Sequence, residues 1–236
     1  TANLRGLLGN EKWSWYVSEK GKKKLSYEQA VVYDRVLRFE ERDKLMKILY
    51  YVYLLDVYMA VANVAKERGF VFAKAHPNDK NTLVMKGVFH PFLTNPVGNT
   101  ITVDENSNVI FLTGANMAGK STFLRAIGVN LVLACCGAVV RAEIFEFQPM
   151  ALFTSMRTVD NLAKGTSYFH AELLRLQQLV NMAQHEERLF IILDEILKGT
   201  NSRDKLNGSR RFLQKLLTLP VAGLVATHDL ELGELA

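Results

Sequence analysis

The sequence predicts an α/β fold, a mainly parallel sheet flanked by helices and preceded by an N-terminal helical segment. Three observations carry this. Leu189-Phe190-Ile191-Ile192-Leu193 and Val221-Ala222-Gly223-Leu224-Val225-Ala226 are continuous apolar runs, as expected of central parallel strands covered on both faces. Segments of helical period separate such runs, and strand–helix alternation is how a parallel sheet is connected. Finally, the apolar run Val109-Ile110-Phe111-Leu112 leads through Gly114-Ala115-Asn116-Met117-Ala118-Gly119-Lys120-Ser121-Thr122 into Phe123-Leu124-Arg125-Ala126-Ile127. Strand, glycine loop and helix are the context that a G-x-x-x-x-G-K-[ST] phosphate loop requires.

Composition bounds the rest. The 236 residues suit one domain, or one domain with an appendage, and 49% apolar content suffices for a sizeable core. A net charge of +5 is compatible with a phosphate polymer as partner, although part of it sits in the Lys20–Lys24 run, which reads as a solvated loop. The two cysteines, Cys135 and Cys136, are adjacent, a spacing that makes neither a disulfide framework nor a metal site. A reducing compartment follows, cytoplasmic or nucleoid-associated. No apolar run of 18 residues is free of charge, so no membrane-spanning helix and no membrane partner are expected. The chain opens on Thr1 without methionine and stops at Ala236, which reads as a piece of a longer protein.

In chain order, residues 1–26 show local aromatic density at Trp13, Trp15 and Tyr16. From Ser26 to Glu67 the pattern is helical, with Ser26 as cap, Gly69 as terminator and a break near Glu40–Asp43. Tyr50, Tyr51, Tyr53 and Tyr58 form an aromatic face read as packing rather than as a base-stacking platform. Residues 70–113 alternate short apolar runs, Phe70–Ala73, Leu83–Met85, Ile101–Val103 and Val109–Leu112, with turn signals. After the glycine loop come a helix over Phe123–Cys136 ended by Gly137, strands near Ala138–Val140 and Leu152–Met156, and a helix opening at Thr166–His170. A further helix is expected from Asn207 or Ser209 to Leu217.

The chemistry gathers at strand ends, where open parallel sheets bind ligands. The glycines let the backbone curl so that successive N–H groups cradle phosphate oxygens, and the helix N-terminus adds partial positive charge. Lys120 would reach the β- and γ-phosphates of ATP, and the Ser121 hydroxyl would ligate Mg²⁺ with Asp194 as its partner. Glu195 would polarise a water for attack, and His228 would hydrogen-bond the γ-phosphate.

The motif set resembles the MutS family of DNA mismatch-repair ATPases. The glycine loop resembles its G-P-N-M-x-G-K-S-T, and Asp194-Glu195-Ile196-Leu197-Lys198-Gly199-Thr200 its D-E-[IL]-G-R-G-T. Ala226-Thr227-His228 resembles its A-T-H, and Asp160 to Phe169 its D-D-L-x-x-G-x-S-T-F. Leu55-Asp56-Val57 with Ala60, and His90-Pro91, fit its segment before the ATPase. The resemblance covers roughly Tyr50 to Leu232. It implies a P-loop ATPase of ABC type that works as a homodimer and engages DNA through regions outside this chain. It implies also that Ser167 faces the γ-phosphate held by the other subunit, and that Asn116 sits by the phosphates. Asn201 and Ser202 would lie in a crossing loop, and Phe92 would stack on adenine or else be a buried core ring. The departures are Ala115 for proline, Tyr168 for threonine, and Asn201-Ser202-Arg203-Asp204 after Gly199-Thr200, which point to a divergent paralogue.

The expected organisation is a helical segment over 1–69, related to the family's core and lever region, and an ATPase domain over 70–236, short of the family's C-terminal dimerisation segment. The expected function is Mg²⁺-dependent ATP hydrolysis that switches a DNA clamp in mismatch repair. The alternatives are the same engine acting on branched or recombination DNA or on a non-DNA client, and a nucleotide-gated assembly module with negligible hydrolysis.

Overall fold

The computed structural model describes residues 2–9, 24–76, 83–104, 107–115, 118–156, 168–185, 188–197 and 201–235. The chain forms two compact units, Thr1–Glu67 and Arg68–Ala236.

The first unit is helical. Helix α1 spans Ala2–Leu8, and α2 spans Tyr27–Arg35. Ser26 starts α2 with a reciprocal capping box: the Gln29 N–H donates to Ser26 Oγ (3.2 Å) and the Ser26 N–H to Gln29 Oε1 (3.1 Å). The chain then widens into a π-helical segment, Val36–Glu40, closed by the Glu41 N–H donating to the Val36 carbonyl at 2.8 Å. The helical pattern therefore breaks at Glu41, inside the expected interval. Helix α3 runs Arg42–Arg68 and stops at Gly69, whose φ of 65° is the left-handed conformation that ends helices.

Neither α2 nor α3 contains a buried residue. Of the expected aromatic face, Tyr50, Tyr53 and Tyr58 are exposed, while Tyr51 is half-buried, lies edge-on to Tyr50 (centroids 5.6 Å apart) and accepts from Asn3 Nδ2 at 3.4 Å. Helix α3 is also long and apolar enough to cross a membrane by length and composition, which corrects the expectation that no segment is. Demanding a charge-free run excluded it, because Asp56 sits mid-helix, yet one acid does not remove a helix from that range. Core helices of soluble proteins meet the same criterion.

The second unit is built on a four-stranded, all-parallel sheet in the order β5-β10-β9-β8. Its strands are β5 (Val109–Leu112), β8 (Ala151–Ser155), β9 (Leu189–Asp194) and β10 (Val221–Ala226). Every residue of β9 and β10 is buried, as their unbroken apolar runs require. Alternate side chains of β9 enter opposite cores. Phe190 and Ile192 join a cluster with Leu124, Ile127 and Leu131 of α4 (Lys120–Cys135). Leu189, Ile191 and Leu193 join a second cluster with Leu176 and Leu179 of α5 (Tyr168–His185) and Leu213 and Leu216 of α6 (Ser202–Leu216). This period of two places helices on both faces of the sheet. In β10, Gly223 is required by closeness: a Cβ there would lie 2.1 Å from the Ile191 carbonyl oxygen.

A second four-stranded sheet has the order β2-β7-β3-β4. It comprises β2 (Lys74–Ala75), β3 (Leu83–Val88), β4 (Asn99–Val103) and β7 (Ile144–Phe147). Strand β7 was not expected from the sequence; its short Ile-Phe-Glu-Phe run buries Phe145 and Phe147 by alternation. The apolar run at 70–73 contributes only β1 (Val71–Phe72), paired antiparallel with β6 (Val139–Val140). Beside this pair the Arg141 guanidinium lies between the rings of Phe70 and Phe89, 4.3 and 4.4 Å from their centroids, and donates to the Arg68 carbonyl. Burial, and then the charge of Arg68, lower its pKa from the usual value. Helix α6 starts at Ser202 rather than at Asn207 or Ser209, because Asn201 Oδ1 caps it by accepting from the Asp204 N–H at 2.9 Å.

Candidate functional site

Strand register assembles the site. Ala226 pairs with Leu112 of β5 on one side and with Asp194 of β9 on the other, so three strands end in one row. Two bonds continue this row past the strands, Thr227 N–H to the Leu112 carbonyl (3.0 Å) and Glu195 N–H to the Ala226 carbonyl (2.9 Å). The glycine loop, Asp194-Glu195 and His228 thus leave the sheet side by side at its C-terminal edge.

In the loop, Gly114 and Gly119 have φ of 144° and 89°, conformations open to glycine and strained for other residues. Among the described residues nothing lies within 4 Å of a Cβ built at either, and the backbone angle by itself favours glycine. Helix α4 begins at Lys120 with no side-chain cap on its N-terminus. The Lys120 ammonium donates to the carbonyls of Gly114 (2.5 Å) and Ala115 (2.8 Å), bridging the loop from which it projects. Ser121 Oγ donates to Asp194 Oδ2 at 2.8 Å. Asp194 is only 9% exposed, and this hydroxyl helps compensate its burial.

Glu195 and His228 form a close pair, Oε1 to Nε2 at 2.6 Å, and His228 Nδ1 lies 3.1 Å from the Gly114 carbonyl oxygen. A carbonyl only accepts, so in the contact with Gly114 the donor is Nδ1. One histidine therefore ties Glu195 to the glycine loop. The loop after His228 is anchored in turn, since Asp229 Oδ2 pairs with Lys205 of α6 at 2.9 Å.

A cleft of about 540 Å³ opens beside the loop, lined by Lys120, Thr122, Phe89, His90, Leu93 and Val97 among others. Its lining joins apolar side chains to the Lys120 ammonium, a combination that suits an aromatic base carrying phosphates. Phe92 is 87% exposed, which rules out the buried-ring reading. Its ring leans on His90 (centroids 5.6 Å apart), and among the described residues it stands outside the lining of the cleft.

Among the described residues no group of three or more His, Cys, Asp or Glu could hold a metal on its own. The adjacent hydroxyl and carboxylate of Ser121 and Asp194 are hard oxygen donors. They fit Mg²⁺ shared with phosphate oxygens, which needs few protein ligands. Asn116, Met117 and Ser167 lie outside the described residues, as do 198–200. Asn201 is described as the cap of α6. Sequence reasoning missed Glu172, whose Oε1 accepts from the Leu197 N–H at 2.6 Å, close beyond Glu195. A glutamate within a periodic helix gives no sequence signal of such a contact.

Fold and site together define a mixed α/β protein with a phosphate-type glycine loop at the carboxyl edge of a parallel sheet. The family model for MutS domain V matches residues 110–236, more than half of the sequence, and the chain belongs to the MutS family. It is 33% identical over 218 residues to the DNA mismatch repair protein MutS of Persephonella marina, covering 88% of this chain and 25% of that protein. MutS protein homolog 4 of Mus musculus is 31% identical over 203 residues, covering 84% of this chain and 21% of that protein. The MutS of Fusobacterium nucleatum is 31% identical over 201 residues, covering 82% and 22% respectively. The chain thus spans a quarter or less of the length of these curated relatives.

Proposed function

We propose that residues 70–236 are a P-loop ATPase domain of ABC type, and that 1–69 correspond to the family's core and lever helices. ATP is the substrate and Mg²⁺ the cofactor. The observation that carries this reading is the single row of strand ends, with Ser121 bonded to Asp194 and His228 joining Glu195 to the glycine loop.

In this reading Lys120 leaves the Gly114 and Ala115 carbonyls for the β- and γ-phosphates. Ser121 and Asp194 hold Mg²⁺, which when bound neutralises charge on the phosphate oxygens. Glu195 releases His228 Nε2 and accepts a proton from the attacking water at its carboxylate, while His228 turns to the γ-phosphate. The water oxygen bonds to the γ-phosphorus as the bond to the ADP oxygen breaks. Catalysis is then positioning and electrostatic stabilisation. Ser167 of a second copy completes the site, and Phe92, exposed beside His90, supplies a stacking face for adenine. The nucleotide state switches a DNA clamp formed outside this chain. The names of the relatives, DNA mismatch repair protein MutS among them, support DNA as the client.

The test is steady-state ATP hydrolysis by the intact protein with homoduplex, mismatched and four-way-junction DNA at fixed salt. Mismatch stimulation is the expected result. Stimulation by junctions alone would move the client to branched DNA, and intact hydrolysis with no response to DNA would remove DNA altogether. Glu195→Gln should slow hydrolysis by about a hundredfold while ATP binding persists, and full activity in this variant would end the general-base assignment.

A further inference from the structure

We propose that Glu172 is a positioning residue for the hydrolytic centre: its carboxylate holds the turn that aims Glu195. The inference rests on the ATPase reading above and adds a residue to it. Among the described residues, Glu195 and Leu197 are the non-glycine positions with positive φ, 52° and 59°. L-residues avoid this conformation because Cβ crowds the backbone, and it persists only where the surroundings fix it. Three contacts do so here. The Glu195 N–H donates to the Ala226 carbonyl at 2.9 Å, fixing the start of the turn to β10. The Leu197 side chain lies against Gly208 of α6, where even a Cβ would come within 2.8 Å of Leu197 Cδ1. The Leu197 N–H donates to Glu172 Oε1 at 2.6 Å.

That last bond has a carboxylate as its acceptor, and it ties the turn's backbone to a side chain of another element. Its base is rigid. Arg175, on the same helix as Glu172, donates twice to the Thr154 carbonyl (3.2 and 2.6 Å) and lies 5.5 Å from the Phe153 ring centroid. Helix α5 is thereby fastened to β8, and Glu172 reaches from that anchorage to the turn. Without Glu172, Leu197 keeps its left-handed crowding and loses its backbone bond to α5, and the bond of Glu195 to Ala226 is left to hold the turn's backbone from one end. The turn then relaxes and Glu195 moves off line. Asp194 and Lys120 are held by other contacts, so nucleotide binding should be spared.

The experiment pairs Glu172→Ala with Glu172→Gln in the intact protein, because the glutamine carbonyl can still accept from Leu197. Hydrogen exchange over Glu195–Leu197 is measured without nucleotide, and Kd for ATP, KM and kcat with Mg²⁺. The expected result is faster exchange and about a tenfold lower kcat in Glu172→Ala, with the ATP Kd within about twofold of wild type, and recovery of both properties in Glu172→Gln. Unchanged exchange in Glu172→Ala overturns the clamp whatever the activity does. Faster exchange with unchanged kcat overturns the positioning role. A parallel loss of ATP binding, or a glutamine variant as impaired as alanine, overturns it in favour of a merely structural or charge effect. If the wild-type protein hydrolyses no ATP, the ATPase reading fails, while the exchange measurement still decides whether Glu172 holds the turn.

Discussion

The helical unit and the α/β unit are written in similarly apolar sequence and use it in opposite ways. Helix α3 carries leucine, valine, methionine and tyrosine along its length and buries none of its residues. Strands β9 and β10 bury all of theirs. Local interactions define the helices: a capping box at Ser26, a π-helical widening before Glu41, a left-handed glycine at residue 69. The sheet is defined by tertiary fit, with helices filling both faces. Apolar content therefore says how much surface could be buried, and not where a core forms.

The largest expected effect that would break this contrast is at Gly223. Its Cβ would meet the Ile191 backbone oxygen at 2.1 Å, between two central strands. Gly223→Ala should destabilise the protein by about 3 kcal/mol in urea unfolding, and a loss below about 1 kcal/mol would mean that the sheet has slack it does not display. An intermediate effect belongs to the cap of α2. Ser26→Ala removes one half of the capping box and should cost about 1 kcal/mol, read from the denaturation of the helical unit. The smallest belongs to the exposed face of α3, where Tyr53→Ser should change stability by no more than about 0.5 kcal/mol. A larger loss there would show that the face is covered in solution, and would erase the difference between the two units.

What was legible in the sequence follows the same division. Strands β9 and β10 were readable because central parallel strands need apolar side chains on both faces, and their short apolar runs are bounded by turn signals and separated by segments of helical period. That the glycine loop, Ser121, Asp194, Glu195 and His228 lie together was readable because each follows an apolar strand run, and register brings those strand ends into one row. The helix break and its caps were readable because capping is a local matter. Strand β7 was not, since a four-residue run carries too short a period, and the polar first turn of α6 hid its start at Ser202. The exposure of Tyr50, Tyr53 and Tyr58 was not legible either, because periodicity reports a face and not its partner. Glu172 was invisible for a related reason: its contact joins residues 25 positions apart through a backbone amide, which has no side-chain identity to read.

The bridge from Lys120 to the carbonyls of Gly114 and Ala115 has one more consequence. An anion arriving at this loop does not meet a bare ammonium in water; it displaces two oxygens that already solvate the charge. The affinity of the loop for phosphate is then an exchange constant, the difference between two sets of ligands for one cation. The two carbonyls are the loop's own stand-in for the phosphate it would bind.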